Sequence, residues 1–343
     1  MLDLNKDISL WLSLVFMAGG LAALGWSADR FIAAAARIAR ALGVSPLIVG
    51  MVVIGFGTSA PELAVSVLSG MSRHSNLSLG NAYGSCIFNM AFILGVSAFI
   101  WPLKVKPSIC RVGVPLLLAV TGLSYLLVRD MNFCRLNGIA LLAAFALVMP
   151  AYCIYDQKTQ GVDAKAPPPE EEAPPPRARV ADFAWLVVGL ALLAASSHVL
   201  VWGCVDFARD VLHVDELLIG LTVVAAGTSL PELASAVASA RRGEHEFVIG
   251  NIVGSNLFNM LAVVGLAGTI APFSGYSRYI ITRDLPMMAA MTVLLFLFGF
   301  GWRSPRGEGG RIGRRAGAVW IISFIAYICA MIAQETGKAW MQS

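Results

Sequence analysis

Charge is what this chain has least of. Asp, Glu, Lys and Arg make up 13% of its 343 residues, against roughly a quarter in an ordinary soluble domain. Histidine is rarer still, at four. The six cysteines stand at 86, 110, 134, 153, 204 and 329 with no CxxC spacing, which excludes a disulfide scaffold and a thiolate metal centre. No HExxH run occurs, no pair of aspartates suited to intramembrane proteolysis lies within the apolar segments, and no Ser–His pairing recurs, so an intramembrane enzyme is set aside. The opening MLDLNKDISL lacks the basic stretch of a cleavable signal, so the first apolar run is expected to stay. What the chain has in abundance is apolar surface: 57% hydrophobic residues and a mean hydropathy of +0.74. It reads as an integral membrane protein.

A helix needs about 20 mostly apolar residues to cross about 30 Å of hydrocarbon. Ten candidates meet that length, near 8–28, 46–70, 77–101, 111–128, 136–155, 183–205, 217–240, 247–271, 284–301 and 316–334, with Asp29–Leu42 a possible extension of the first. Between the fifth and sixth lies 156–182, whose PPPEEEAPPP core has almost nothing to bury; such a stretch is a solvated linker. It divides the chain into 8–155 and 183–334, five helices each. Alternate loops differ sharply in Lys and Arg. One side takes 17 of the 25, among them Arg30, Lys104, Arg241 and the 303–315 cluster. That side is cytoplasmic by the positive-inside rule, placing the linker inside the cell and both termini outside. The Arg-rich 303–315 stretch is read as this topology signal.

The two groups repeat each other. At an offset of 170, Gly57-Thr58-Ser59-Ala60-Pro61-Glu62-Leu63-Ala64 matches Gly227-Thr228-Ser229-Leu230-Pro231-Glu232-Leu233-Ala234. Without a gap, Gly80-Asn81-Ala82-Tyr83-Gly84-Ser85-Cys86-Ile87-Phe88-Asn89-Met90 matches Gly250-Asn251-Ile252-Val253-Gly254-Ser255-Asn256-Leu257-Phe258-Asn259-Met260. Five spans per copy is an odd number, so the second copy enters the bilayer from the opposite face. The expected fold is all-α: ten transmembrane helices in two inverted five-helix repeats, an architecture of secondary transporters.

The repeated motifs put chemistry in the lipid. Glu62 and Glu232 fall well inside their spans, where a carboxylate costs at least ~2.5 kcal/mol and needs a partner. No Lys or Arg sits at similar depth, so the partner expected is a bound cation. Gly55, Gly57 and Pro61, with Gly227 and Pro231, weaken the helix ahead of each Glu. Ser59-x-x-Glu62 and Ser229-x-x-Glu232 fit capping boxes, as if a half-helix began there. Ser85 and Asn89 share a helix face, as do Ser255 and Asn259, while Gly80-x-x-x-Gly84 and Gly250-x-x-x-Gly254 offer surfaces for close helix approach. All these donors are oxygens, which suits Ca²⁺ and Na⁺ and leaves Mg²⁺ and Mn²⁺ open, rather than zinc or copper. Two carboxylates are neutralised by one Ca²⁺, two Na⁺ or two protons, so these species compete, and competition is the basis of exchange. Read as purely structural, the same Ser and Asn residues would be interhelical hydrogen bonds and the glutamates caps. Capping does not account for two unpaired carboxylates at this depth. His198, facing Ala28 in the repeat, is read as structural.

GTSAPE/GTSLPE with GSCIFN/GSNLFN, in two five-helix copies, resembles the α-repeats of the cation/Ca²⁺ exchanger superfamily, in its prokaryotic sodium/calcium exchanger branch. The resemblance covers the chain outside the linker. It implies alternating access and Na⁺-driven Ca²⁺ extrusion across the cell (inner) membrane; Ca²⁺/H⁺ antiport is the alternative. It further implies a Ca²⁺ site of Glu62 and Glu232 with the carbonyls of Thr58 and Thr228. The Na⁺ sites would be Thr58, Ser85 and Glu232 on one side and Thr228, Ser255 and Glu62 on the other. Gly55 and Ala225 would lend backbone, and Asn89 and Asn259 would complete the middle. Ca²⁺ and Na⁺ are then cargo, with no organic cofactor. The partners are the lipid bilayer and the transported cations, with no nucleic acid and no obligatory protein. Many such proteins carry Asp where Asn259 stands, which argues against potassium co-transport. Cys86 replaces their usual Asn and is expected to point away from the Ser/Asn face. The linker is too short for a folded Ca²⁺-sensing domain.

Overall fold

The computed structural model describes residues 4–163, 180–210, 225–300 and 310–342. They are almost entirely helical, as hydrocarbon demands of any backbone whose polar groups cannot reach water. In chain order the helices are α1 Leu4–Leu42, α2 Val49–Thr58, α3 Ala60–Met71, α4 Ser75–Ile100, α5 Ile109–Val128 and α6 Arg135–Asp163. After the linker come α7 Val180–Asp210, α8 Ala225–Thr228, α9 Leu230–Arg241, α10 His245–Ile270, α11 Ile280–Gly299 and α12 Arg314–Gln342. Among the described residues, eight helices are long and apolar enough to cross a membrane, and the bent pair α2–α3 makes a ninth. The span expected over 217–240 is described only from Ala225 onward. The helices flanking the linker run further than expected, to Asp163 and from Val180, so its described margins are helical; residues 164–179 lie outside the described ones, as do Arg303 and Arg306 of the basic cluster. Asp29–Leu42 does extend the first helix.

Two features recur in corresponding places. α2 gives way to α3 at Ser59 (φ −86°, ψ 9°), with a bend of 46°, and α8 gives way to α9 at Ser229 (φ −92°, ψ 8°). In each case the proline two residues on has no N–H to offer the preceding turn; the Gly227 carbonyl four residues before Pro231 accepts from Ser197 Oγ instead (2.8 Å). Wide, π-type turns interrupt α4 at Phe88–Ile93 and α10 at Asn259–Val263, and again α5 at Ile109–Gly113 and α11 at Ile280–Asp284. Such turns shift side chains off the regular helical register and are frequent at functional sites.

Among the described residues, four two-residue strands fasten the halves together. β1 Leu103–Lys104 and β3 Phe273–Ser274 occupy matching places, as do β2 Asn132–Phe133 and β4 Arg311–Ile312, yet β1 pairs with β4 and β2 with β3, both antiparallel. α1 and α7 lie against each other along their length. At the centre is α10, buried through its whole apolar window. It packs on α2 and the turn before it so closely that a Cβ at Gly254 would sit 2.5 Å from the Met51 Cα, and one at Gly250 2.7 Å from the Leu47 carbonyl. No described atom crowds Gly80 or Gly84 in this way; the residues that would stand to them as Leu47 and Met51 do are 217 and 221, outside the described ones. The outer helices turn side chains such as Leu136, Leu147, Ile322 and Ile325 outward, as lipid-facing positions do.

Candidate cation site

Glu62 lies in the first turn of α3 and Glu232 in the first turn of α9, 0% and 1% exposed. Half-helix N-termini favour anionic groups, so each break both interrupts a span and supplies positive dipole to its own carboxylate. The serine at each break makes no capping bond. This corrects the capping-box expectation: the half-helices do begin there, but the hydroxyls are used across the molecule. Ser59 Oγ donates to Glu232 Oε1 (2.9 Å), and Ser229 Oγ donates to Glu62 Oε1 (3.0 Å). Each carboxylate is thus held by the opposite half. Thr58 lies beside Glu232, and Thr228 and Ser85 lie beside Glu62.

Neighbouring helices close the ring. Ser85 Oγ is 3.1 Å from Ser229 Oγ. Thr58 Oγ1 lies 2.9 Å from the Ile54 carbonyl and 3.4 Å from Asn251 Oδ1. Ser255 Oγ donates to the Gly55 carbonyl (3.2 Å), an approach that works because a Cβ at Gly55 would come within 3.0 Å of the Ser255 nitrogen. Asn81 Nδ2 donates to the Glu62 carbonyl (3.0 Å), and Asn251 Nδ2 to the Glu232 carbonyl (3.3 Å). Asn89 Nδ2 donates to Asn256 Oδ1 (3.3 Å).

What is left unbonded matters as much. Among the described residues, Oε2 of Glu62, Oε2 of Glu232, Oδ1 of Asn89 and both amide atoms of Asn259 are buried without a hydrogen-bond partner. No described Lys, Arg or His pairs with either glutamate, and the two carboxylates sense each other's charge. A buried unsatisfied polar atom costs about 1–3 kcal/mol, more when charged. Two such carboxylates within reach of each other's charge are stable together only if something positive joins them. No described group of three His, Cys, Asp or Glu exists, so the cluster offers two carboxylates and a surplus of neutral oxygens, the donor set of a hard cation.

Of the residues singled out from sequence, Glu62, Glu232, Thr58, Thr228, Ser85, Ser255 and Gly55 come together here. Asn89 and Asn259 are fully buried at the wide turns, and Ala225 opens α8. His198 is exposed. Cys86, expected to point away from the Ser/Asn face, turns its thiol to the Asn256 carbonyl (3.7 Å) in the other half. The cross-links from Ser59 and Ser229 and the carbonyl bonds from Asn81 and Asn251 are not foreseen. Their signal was there, since all four are identical between copies.

The family model for the sodium/calcium exchanger protein matches residues 12–151 and 181–333, both halves without the linker. The chain belongs to the sodium/calcium exchanger family. Among similar proteins, the antiporter CaxA of Alkalimonas amylolytica is 38% identical over 320 residues, 91% of this chain and 96% of CaxA. The sodium/calcium exchanger MaX1 of Methanosarcina acetivorans is 27% identical over 349 residues, covering 88% and 93%. Among solved structures, the sodium-calcium exchanger NCX_Mj soaked with Na⁺ and Sr²⁺ superposes with a TM-score of 0.76 at 26% identity, covering 93% of this chain and 98% of that one. Family members are transporters, not enzymes.

Proposed function

We propose that this protein is an antiporter that exchanges Na⁺ for Ca²⁺ by alternating access, the cations sharing the Glu62–Glu232 cluster. The observation that carries this reading is the pair of buried carboxylates, each gripped through one oxygen by the opposite half's serine and open at the other. One Ca²⁺ between the open oxygens neutralises both, assisted by the Thr58 and Thr228 carbonyls. Two Na⁺ do the same, drawing on Thr58, Thr228, Ser85 and Ser255, with Gly55 and Ala225 lending backbone and Asn89 and Asn259 the middle. Because the same charge is cancelled in both cases, the ions exclude each other, and a loaded cluster crosses more readily than an empty, self-repelling one.

The architecture assigned to this activity is ten spans in two inverted repeats, the linker 156–182 in the cytoplasm and both termini outside, in the inner membrane. The matching breaks at Ser59 and Ser229, the paired wide turns and the exchanged strands support the repeat; the distribution of Lys and Arg supports the orientation. A named exchanger, MaX1, and the Na⁺- and Sr²⁺-soaked NCX_Mj support the choice of ions.

The test is ⁴⁵Ca²⁺ uptake into proteoliposomes of the purified full chain. Uptake driven by an opposing Na⁺ gradient is the expected result. Full uptake with a pH gradient and no Na⁺ would instead make it a Ca²⁺/H⁺ antiporter, which two buried carboxylates without a basic partner are able to support. Uptake that needs neither gradient would sink both.

A further inference from the structure

Between the side chains of the cluster, the match between halves breaks at Cys86, which stands where the second half has Asn256. Asn256 makes bonds that span the two halves. Its Nδ2 donates to the Cys86 carbonyl (3.3 Å), its carbonyl accepts from the Cys86 thiol (3.7 Å), and its Oδ1 accepts from Asn89 Nδ2 (3.3 Å). That last bond fixes the Asn89 amide by its nitrogen and leaves its oxygen unbonded, as a ligand oxygen must be. The mirror-image bond would run from Asn259 Nδ2 to an amide oxygen at position 86. A thiol carries none. Asn259, 0% exposed, accordingly has neither amide atom hydrogen-bonded among the described residues, although the Cys86 sulfur faces it.

We infer that Cys86 is a positioning residue that sets the two central amides to different tasks: Asn89 is a fixed oxygen donor anchored on Asn256, whereas Asn259, with only the Cys86 sulfur beside it among the described residues, lacks that amide anchor and must be ordered by each cation that enters. The inference rests on the cation site proposed above. Ordering a side chain on binding weakens the complex, and fixing it beforehand restores the difference. Cys86 therefore lowers the affinity of the cluster on the Asn259 side and leaves the Asn89 side intact.

The experiment is Ca²⁺-concentration dependence of ⁴⁵Ca²⁺/Na⁺ exchange in proteoliposomes for wild type, Cys86→Asn, Asn259→Ala and the double variant. Cys86→Asn supplies the missing acceptor and is expected to lower the KM for Ca²⁺ by about two- to tenfold, the worth of one immobilised side chain. That gain should vanish when Asn259 is already Ala. A KM unchanged by Cys86→Asn, or lowered equally without the Asn259 amide, overturns the inference. Should Cys86→Asn fail to fold, Asn256→Cys reads the same question in reverse: it releases Asn89 and should raise KM, and an unchanged KM overturns the inference equally. Absence of exchange in the wild type itself would fault the proposed function rather than this step.

Discussion

In the first half, α3 is clipped to α4 by hydroxyls. Ser66 Oγ donates to the Ser78 carbonyl (3.1 Å), Ser78 Oγ returns the bond to the Ser66 carbonyl (2.7 Å), and Asn81 Nδ2 reaches Ser66 Oγ (2.9 Å) as well as the Glu62 carbonyl. In the second half the same places hold Ala236 and Val248, both 0% exposed, and α9 meets α10 through apolar packing with Asn251 alone on the Glu232 carbonyl. Polar bonds between membrane helices are worth only about 0.6 kcal/mol on average, so close packing of small side chains substitutes for them readily. The contrast separates two kinds of residue. Between these helix pairs, Asn81 and Asn251, alike in both halves, bond the carbonyls beside the carboxylates, whereas Ser66 and Ala236, like Ser78 and Val248, differ and hold the same helices by other means.

The sharpest test of that division is to neutralise each carboxylate in turn. Glu62→Gln and Glu232→Gln should each reduce Na⁺-driven ⁴⁵Ca²⁺ flux by about 100-fold or more, a loss of roughly 2.7 kcal/mol or more in transition-state terms. Neither should melt below the wild type in detergent, since removing an unpaired buried charge is not destabilising. If one variant kept a tenth of the flux while the other lost all of it, the halves would not be equivalent at the site.

Next in size are the crossing serines. A hydrogen bond to a charged group is worth about 1.5–3 kcal/mol, so Ser59→Ala and Ser229→Ala should each weaken apparent Ca²⁺ affinity by about 10- to 100-fold. Ser229 also contacts Ser85, so its loss is expected to be the larger. Equal and negligible shifts in the KM for Ca²⁺ would refute the cross-held arrangement.

These effects bear on how much could be read from residues alone. Nine of the ten apolar runs are matched by helices, because hydrocarbon allows few alternatives to a helix of that length. The convergence of Glu62 and Glu232 followed from the duplication, and their lack of a basic partner from the absence of Lys and Arg at that depth. What escaped was direction. Ser59 and Ser229 have the spacing of a cap, and spacing cannot tell whether a hydroxyl serves its own helix or one 173 or 167 residues away. The wide turns at Asn89 and Asn259 were invisible for a related reason: they arise from packing between α4 and α10 with their neighbours, and nothing in FNMAFI or NMLAV announces an extra residue per turn.

The scaffold itself can be perturbed with smaller consequences. Ser66→Ala removes a bond to the Ser78 carbonyl and one from Asn81, and should cost about 1 kcal/mol, seen as a modest fall in melting temperature with the KM for Ca²⁺ nearly unmoved. Ala236→Ser places a hydroxyl in the apolar counterpart, and a stability change there of the same size as at Ser66 would erase the distinction between the two scaffolds.

The smallest effect belongs to the far ends of α3 and α9, where the halves differ in charge. α9 ends in Arg241 and Arg242, both 3.8 Å from the Asp29 carboxylate, and Arg242 also donates to the Asp29 carbonyl (3.0 Å); α3 ends at Met71, with Ser72 following. These ion pairs tie α9 to α1, but the side chains are 35–60% exposed, and exposed pairs are worth about 0.2–1 kcal/mol. Asp29→Asn should therefore lower the melting temperature only slightly at low ionic strength. The difference from wild type should disappear near 1 M salt, where the screening length falls to about 3 Å. A large loss of stability that persisted in high salt would mean that Asp29 acts through packing or through the backbone bond from Arg242, and the charge difference between the two helix ends would then have no mechanical role.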